Sequence, residues 1–147
     1  MIEIISLTQT YRSGKGVFNL NFTINKGEVF GYLGPNGSGK TTTIRNILGF
    51  TNASEGKVLI NGLDARQDTA EINKIIGFLP GEISFYNNLR GREFLELLAK
   101  LRNLTDFTFR DYLIQKFKLD IDVFIKKMSK GMKQKLAIIA AFMHDPD

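Results

Sequence analysis

The chain has 147 residues, 43% hydrophobic and 24% charged, which suits one ordinary globular core and excludes a disordered or fibrous chain. With no cysteine, disulfides and thiolate metal sites are excluded, and a reducing compartment is the natural expectation. The net charge of +5 is weighted toward the C-terminal part, where Lys126, Lys127, Lys130, Lys133 and Lys135 form a dense run without interleaved aromatics; we read it as a solvated face rather than a nucleic-acid surface.

From the N-terminus, Ile2, Ile4 and Leu7 predict a strand over residues 2–8. Met1 to Ile5 lacks the basic region and cleavage site of a signal peptide, and no stretch of the chain reaches the ~18 apolar residues of a membrane span. Tyr11 closes this strand, and a turn over 12–16 leads into a second, where Phe18, Leu20, Phe22 and Ile24 alternate strictly with polar residues, as on a half-buried face. Asn25 to Glu28 turn the chain into the apolar run Val29 to Leu33. The first 33 residues thus read as a small antiparallel sheet beside a core strand.

That run feeds Gly34-Pro35-Asn36-Gly37-Ser38-Gly39-Lys40-Thr41-Thr42, a G-x-x-x-x-G-K-[ST] pattern set between a strand and a helix. Gly34, Gly37 and Gly39 permit positive φ and leave no Cβ in the way, so successive N–H groups turn inward around an anion. Lys40 opens a helix whose positive end favours polyphosphate, and the Thr41 hydroxyl suits Mg²⁺. The pattern therefore predicts a nucleoside triphosphate site.

Gly49 stops the helix. Lys57 to Ile60 and the Asn61-Gly62 turn predict a hairpin, 69–74 a short helix, and Ile75 to Leu79 a strand too continuously apolar to lie outside a parallel sheet. From Tyr86 onward the pattern is helical: 91–103, 109–117 and 130–143, the last with Leu136, Ile139, Ala140 and Met143 on one face. The predicted organisation is a β-rich nucleotide-binding core over 1–85, with an antiparallel β-subdomain and a partial parallel sheet, and a helical subdomain over 86–147. Ser129 is a suitable cap for the last helix. Met128-Ser129-Lys130-Gly131-Met132 makes a second anion-facing helix start, although such caps ordinarily only satisfy their own N–H groups.

The phosphate loop, followed roughly ninety residues later by this Leu-Ser-Gly-Gly-Gln-like element, resembles the ATP-binding subunit of ABC transporters across the whole chain. The resemblance implies an α/β P-loop NTPase core with an N-terminal antiparallel β-subdomain and a C-terminal helical subdomain. It places Tyr11 on the adenine of ATP, Gly34 to Thr42 on the phosphates and Thr41 on Mg²⁺. Ser129, Lys130 and Gly131 fall on the γ-phosphate held by a second ATP-binding subunit in a head-to-tail dimer. Two positions depart from the signature: its second glycine is Lys130 and its glutamine is Met132. Where the family carries a glutamine near Mg²⁺ and the attacking water stands Gly81, with Glu82 beside it as a substitute candidate.

Leu89-Arg90-Gly91-Arg92-Glu93 resembles the drug- and antibiotic-exporting branch. That implies export of a drug, antibiotic or lipid-like compound, a transmembrane permease partner docked near Gly81 to Asn88, and a place on the inner face of the cell membrane. The family's aspartate, glutamate and switch histidine fall beyond Asp147, and His144 is assigned a helix-end role. The expectation is that this stretch binds ATP without hydrolysing it, while residues 29–33 and 75–79 stay unpaired or pair abnormally and make it strained or self-associating. The alternatives are a soluble ABC-type ATPase acting on nucleic acid or ribosomes, and a nucleotide-binding module without chemistry.

Overall fold

A computed structural model describes residues 1–147 as two compact units, Met1–Asn73 and Lys74–Asp147. In the first, strands β1 (Ile2–Thr10), β2 (Gly16–Ile24), β3 (Glu55–Ile60) and β4 (Leu63–Asp64) form one antiparallel sheet in the order β2-β1-β3-β4. Ile2 sits opposite Ile24 on one side and Ile60 on the other. Every second residue of β1 need not face the core, however, because Ser6 (φ 48°) and Asn19 (φ 46°) break the ladder.

The side chains supply what the ladder loses there. The Asn21 Oδ1 accepts the Ser6 N–H at 2.8 Å, and the Thr8 Oγ1 accepts the Asn19 N–H at 3.0 Å. The irregularity also corrects the strict alternation expected of β2: past Asn19 the phase changes, so Val17 is buried and Phe18 is 58% exposed.

Asn61 and Gly62 both take positive φ, as a two-residue hairpin turn requires, and join β3 to β4. Helix α1 (Lys40–Ile47) ends where the Gly49 N–H reaches the Asn46 carbonyl at 3.1 Å. Leu7 and Ile72 have no exposed surface, and Ile4, Val17, Leu48 and Val58 almost none. Each such side chain contributes about 1.5–3 kcal/mol of burial free energy.

The strands expected at 29–33 and 75–79 are not formed, and no parallel pairing is present. Helix α2 (Thr69–Ile75) takes Ile75 into its last turn. Residues 28–35 and 76–80 take no regular secondary structure and join no strand ladder. Val29 is fully exposed and Leu33 90% exposed.

The second unit is built on α3 (Gly91–Leu101), α4 (Thr108–Phe117) and α5 (Lys130–Phe142), with a single 3₁₀ turn at Ile125–Lys127. The apolar stripe of α5 behaves as its spacing predicts: Leu136, Ile139 and Met143 join Leu95, Leu113 and Ile125 in one buried cluster, with Ala140 against it. Leu101, the last residue of α3, is 72% exposed. Lys135 of α5 ties down the end of α4 by donating to the Phe117 carbonyl at 2.9 Å.

Candidate functional site

The loop from Gly34 to Gly39 lies between the irregular stretch 28–33 and α1. Gly37 (φ 85°) and Gly39 (φ 91°) take the left-handed conformation anticipated for them. Gly34 does not; an added Cβ there would lie 2.7 Å from Ser38 Oγ, so its role is to let the loop close on itself. At Gly39 a Cβ would come within 2.2 Å of Val17 Cγ1, which seats the start of α1 directly on β2.

The consequence is a row of free donors. Ser38 N–H bonds the Pro35 carbonyl at 3.2 Å and Thr43 N–H the Gly39 carbonyl at 2.9 Å, but the N–H groups of Gly37, Gly39, Lys40, Thr41 and Thr42 have no acceptor in the chain. No acidic side chain stands in the first turn of α1, and Gly39 cannot cap it. Unsatisfied donors at a helix start with its dipole make an anion site. Lys40 currently spends its charge inside the loop, donating to the Gly34 and Pro35 carbonyls at 2.5 and 2.8 Å.

The three threonines divide their work. Thr41 is exposed and its hydroxyl makes no bond in the chain. Thr42 Oγ1 lies 3.5 Å from the Tyr11 hydroxyl, which brings the exposed Tyr11 ring to the side of the loop. Thr43 is fully buried and donates to the Gly39 carbonyl at 3.2 Å; its one hydrogen thus engaged, it accepts from the Tyr32 hydroxyl at 3.1 Å. Tyr32 stacks in turn on Phe30 and lies tilted against Phe22. The Tyr32–Thr43 link was not foreseen, since Tyr32 read only as one member of an apolar run.

In the second unit Ser129 caps α5: its Oγ accepts the Met132 N–H at 3.2 Å. Lys130 and Gly131 beside it are exposed. Gly131 has no positive φ, and a Cβ there would meet only Ser129 Oγ, at 4.0 Å. Nothing inside the chain requires glycine at that position. Lys130 and Lys133 flank the same end, near Gly81. Gly81 and Glu82 are exposed, and no bond to the Glu82 carboxylate is present.

His144 does not cap the carbonyls of α5. Its Nε2 bonds the Ile76 carbonyl at 3.0 Å, while Nδ1 is buried without a partner. Burial first, and the Arg102 charge second, hold its pKa below the ordinary histidine value against the opposing pull of the Ile76 bond. The basic run is likewise partly committed within the fold: besides Lys135, Lys126 stands 5.7 Å over the Phe124 ring. No cluster of acidic or histidine side chains is arranged to hold a metal. No helix is long and apolar enough to cross a membrane.

Comparison with known proteins adds the following. A family profile described as ABC transporter matches residues 17–147. The bacitracin transport ATP-binding protein BcrA of Bacillus licheniformis is 36% identical over all of this chain and 49% of its own length. The ABC transporter ATP-binding protein NatA of Bacillus subtilis is 36% identical over 90% of this chain and 56% of its own. A dimeric structure of a bacterial ABC transporter cassette superposes with a TM-score of 0.82 at 26% identity, covering 99% of this chain and 71% of that one. The chain spans about half the length of the curated relatives it matches.

Proposed function

The chain belongs to the ABC transporter family, and on that premise we propose that it is the ATP-binding part of a transporter's ATPase subunit. Gly34, Pro35, Asn36, Gly37, Ser38, Gly39, Lys40 and Thr42 surround the polyphosphate, with Tyr11 against the adenine. The observation that carries this reading is the row of unpaired N–H groups at Gly37, Gly39, Lys40, Thr41 and Thr42, capped by no acid and flanked by a lysine that can turn outward. Thr41 would hold Mg²⁺, which would supply charge neutralisation for the polyphosphate. The chain's own contribution is binding and orientation: N–H donors fix the phosphates, and Lys40 exchanges its two carbonyl partners for phosphate oxygens.

Ser129, Lys130 and Gly131 are assigned to the γ-phosphate of ATP held by a second subunit, supported by the dimeric cassette of similar fold and by a glycine at 131 that the chain itself does not need. Glu82 is the candidate to orient water in place of the family's glutamine. We assign the core function to residues 1–85 and the second-subunit contact to 86–147. The permease partner would meet Gly81 to Asn88, where Tyr86 is 67% exposed and Leu97 nearby adds apolar surface, and the subunit would work on the inner face of a membrane. Export of an antibiotic-like compound is the substrate class suggested by BcrA, whose name specifies bacitracin, whereas NatA's names no cargo.

In the full-length protein Lys40→Ala is expected to abolish ATP binding and Mg²⁺-dependent hydrolysis. Turnover equal to that of the unaltered protein refutes the assignment.

A further inference from the structure

The Ser129 helix start is held by a part of the second unit that the ATP site does not explain. Residues 87–92 and 121–126 run antiparallel as a short ribbon: Arg92 N–H to Ile121 O at 2.8 Å, Gly91 N–H to Val123 O at 3.2 Å, Ile125 N–H to Leu89 O at 2.9 Å and Lys126 N–H to Asn87 O at 3.2 Å. Arg92 closes it with a forked ion pair, Nε at 2.8 Å and Nη2 at 3.1 Å from the two carboxylate oxygens of Asp122. Arg90 donates to the Asp122 carbonyl and lies 4.4 Å over the Phe124 ring.

The ribbon reaches Ser129 without slack. Lys127 N–H bonds Phe124 O at 2.8 Å and Met128 N–H bonds Ile125 O at 3.1 Å, with Ile125 fully buried and Met128 5% exposed. A Cβ on Gly91 would stand 2.9 Å from the Met128 methyl and 3.1 Å from the Ile121 carbonyl, so the first residue of α3 touches both the ribbon and the residue before the cap. Asp122 and Ser129 are thus joined through the ribbon and one tight turn.

We propose that Arg92 and Asp122, aided by Arg90 on Phe124, are positioning residues that fix where the Ser129 helix start meets nucleotide bound by a second subunit. This rests on the proposed role of Ser129. The pair is half exposed, 54% for Arg92 and 61% for Asp122, and exposed ion pairs add little to stability. Its removal is expected to act on turnover rather than on folding.

The test uses the full-length protein and steady-state hydrolysis of ATP with Mg²⁺. Asp122→Ala is expected to lower kcat about tenfold or more with KM for ATP changed less than about twofold, since the ATP loop is untouched. The exchanged pair, Arg92→Asp with Asp122→Arg, restores most of kcat. Sedimentation with a non-hydrolysable ATP analogue is expected to show weaker dimerisation for Asp122→Ala and recovery for the exchanged pair. Ser129→Ala is measured in parallel. If it lowers kcat and Asp122→Ala does not, the clamp is overturned while the reading of Ser129 stands; if Ser129→Ala changes nothing, that reading fails and the clamp with it. A loss in Asp122→Ala that the exchanged pair leaves unrestored also overturns the proposal.

Discussion

Gly131→Ala separates stability from function because the two are expected to move in opposite directions. Gly131 is the second residue of α5, exposed and with ordinary helical φ, and the added methyl would meet nothing closer than Ser129 Oγ at 4.0 Å. Replacing a helical glycine by alanine stabilises by about 0.5–1 kcal/mol, which in a domain of this size raises Tm by about 1–4 °C. A phosphate brought to the Ser129 hydroxyl must occupy the space the methyl takes, and overpacking of that kind costs about 1–3 kcal/mol, equivalent to roughly a 5- to 150-fold loss. Calorimetric melting and steady-state ATP hydrolysis of the full-length protein measure both sides. A variant that melts higher and keeps kcat within about twofold refutes the close approach and removes the physical reason for glycine there.

Tyr32→Phe deletes one hydrogen bond to a fully buried threonine and is expected to cost about 0.5–1.5 kcal/mol, with ATP affinity by titration calorimetry reduced because α1 and the irregular stretch before the loop lose their link; a lower Tm with unchanged affinity limits Tyr32 to a structural role. His144 has a folded pKa below its unfolded one, so the unfolded chain takes up the proton first as pH falls through about 6.5, and stability is lost from there downward. Melting between pH 7.5 and 5.5 is expected to show a smaller drop for His144→Gln, and equal slopes count against that burial. Together with Lys40→Ala and Asp122→Ala, these substitutions address each part of the molecule separately.

The parts of the site that could be read from sequence were those in which backbone chemistry demands a residue type. Gly37 and Gly39 need positive φ, Ser129 needs an oxygen at a helix start, and Asn61-Gly62 needs two left-handed residues; each was placed correctly. The helices followed from apolar spacing for the same local reason. What escaped was determined by partners distant in sequence. The Tyr32 hydroxyl finds Thr43, and Asp122 finds Arg92 thirty residues away, and neither pairing leaves a periodic trace. The stretches 29–33 and 75–79 have strand-like composition, yet a strand exists only when another backbone pairs with it. Phe18 left the core because a positive φ at Asn19 changed the phase of an alternation that composition alone had made look regular.

The hold of Lys40 on the carbonyls of Gly34 and Pro35 makes ligand entry an exchange rather than an addition. The ammonium leaves two oxygens only for a ligand that returns oxygens at similar distance while also reaching the N–H row. A single phosphate seated on that row lies against donors already available and gives the lysine little reason to move. A chain of phosphates satisfies both at once. On the proposed ATP-binding role, preference for a chain of phosphates over a single one would reside in the alternative partners of Lys40 rather than in the shape of a pocket.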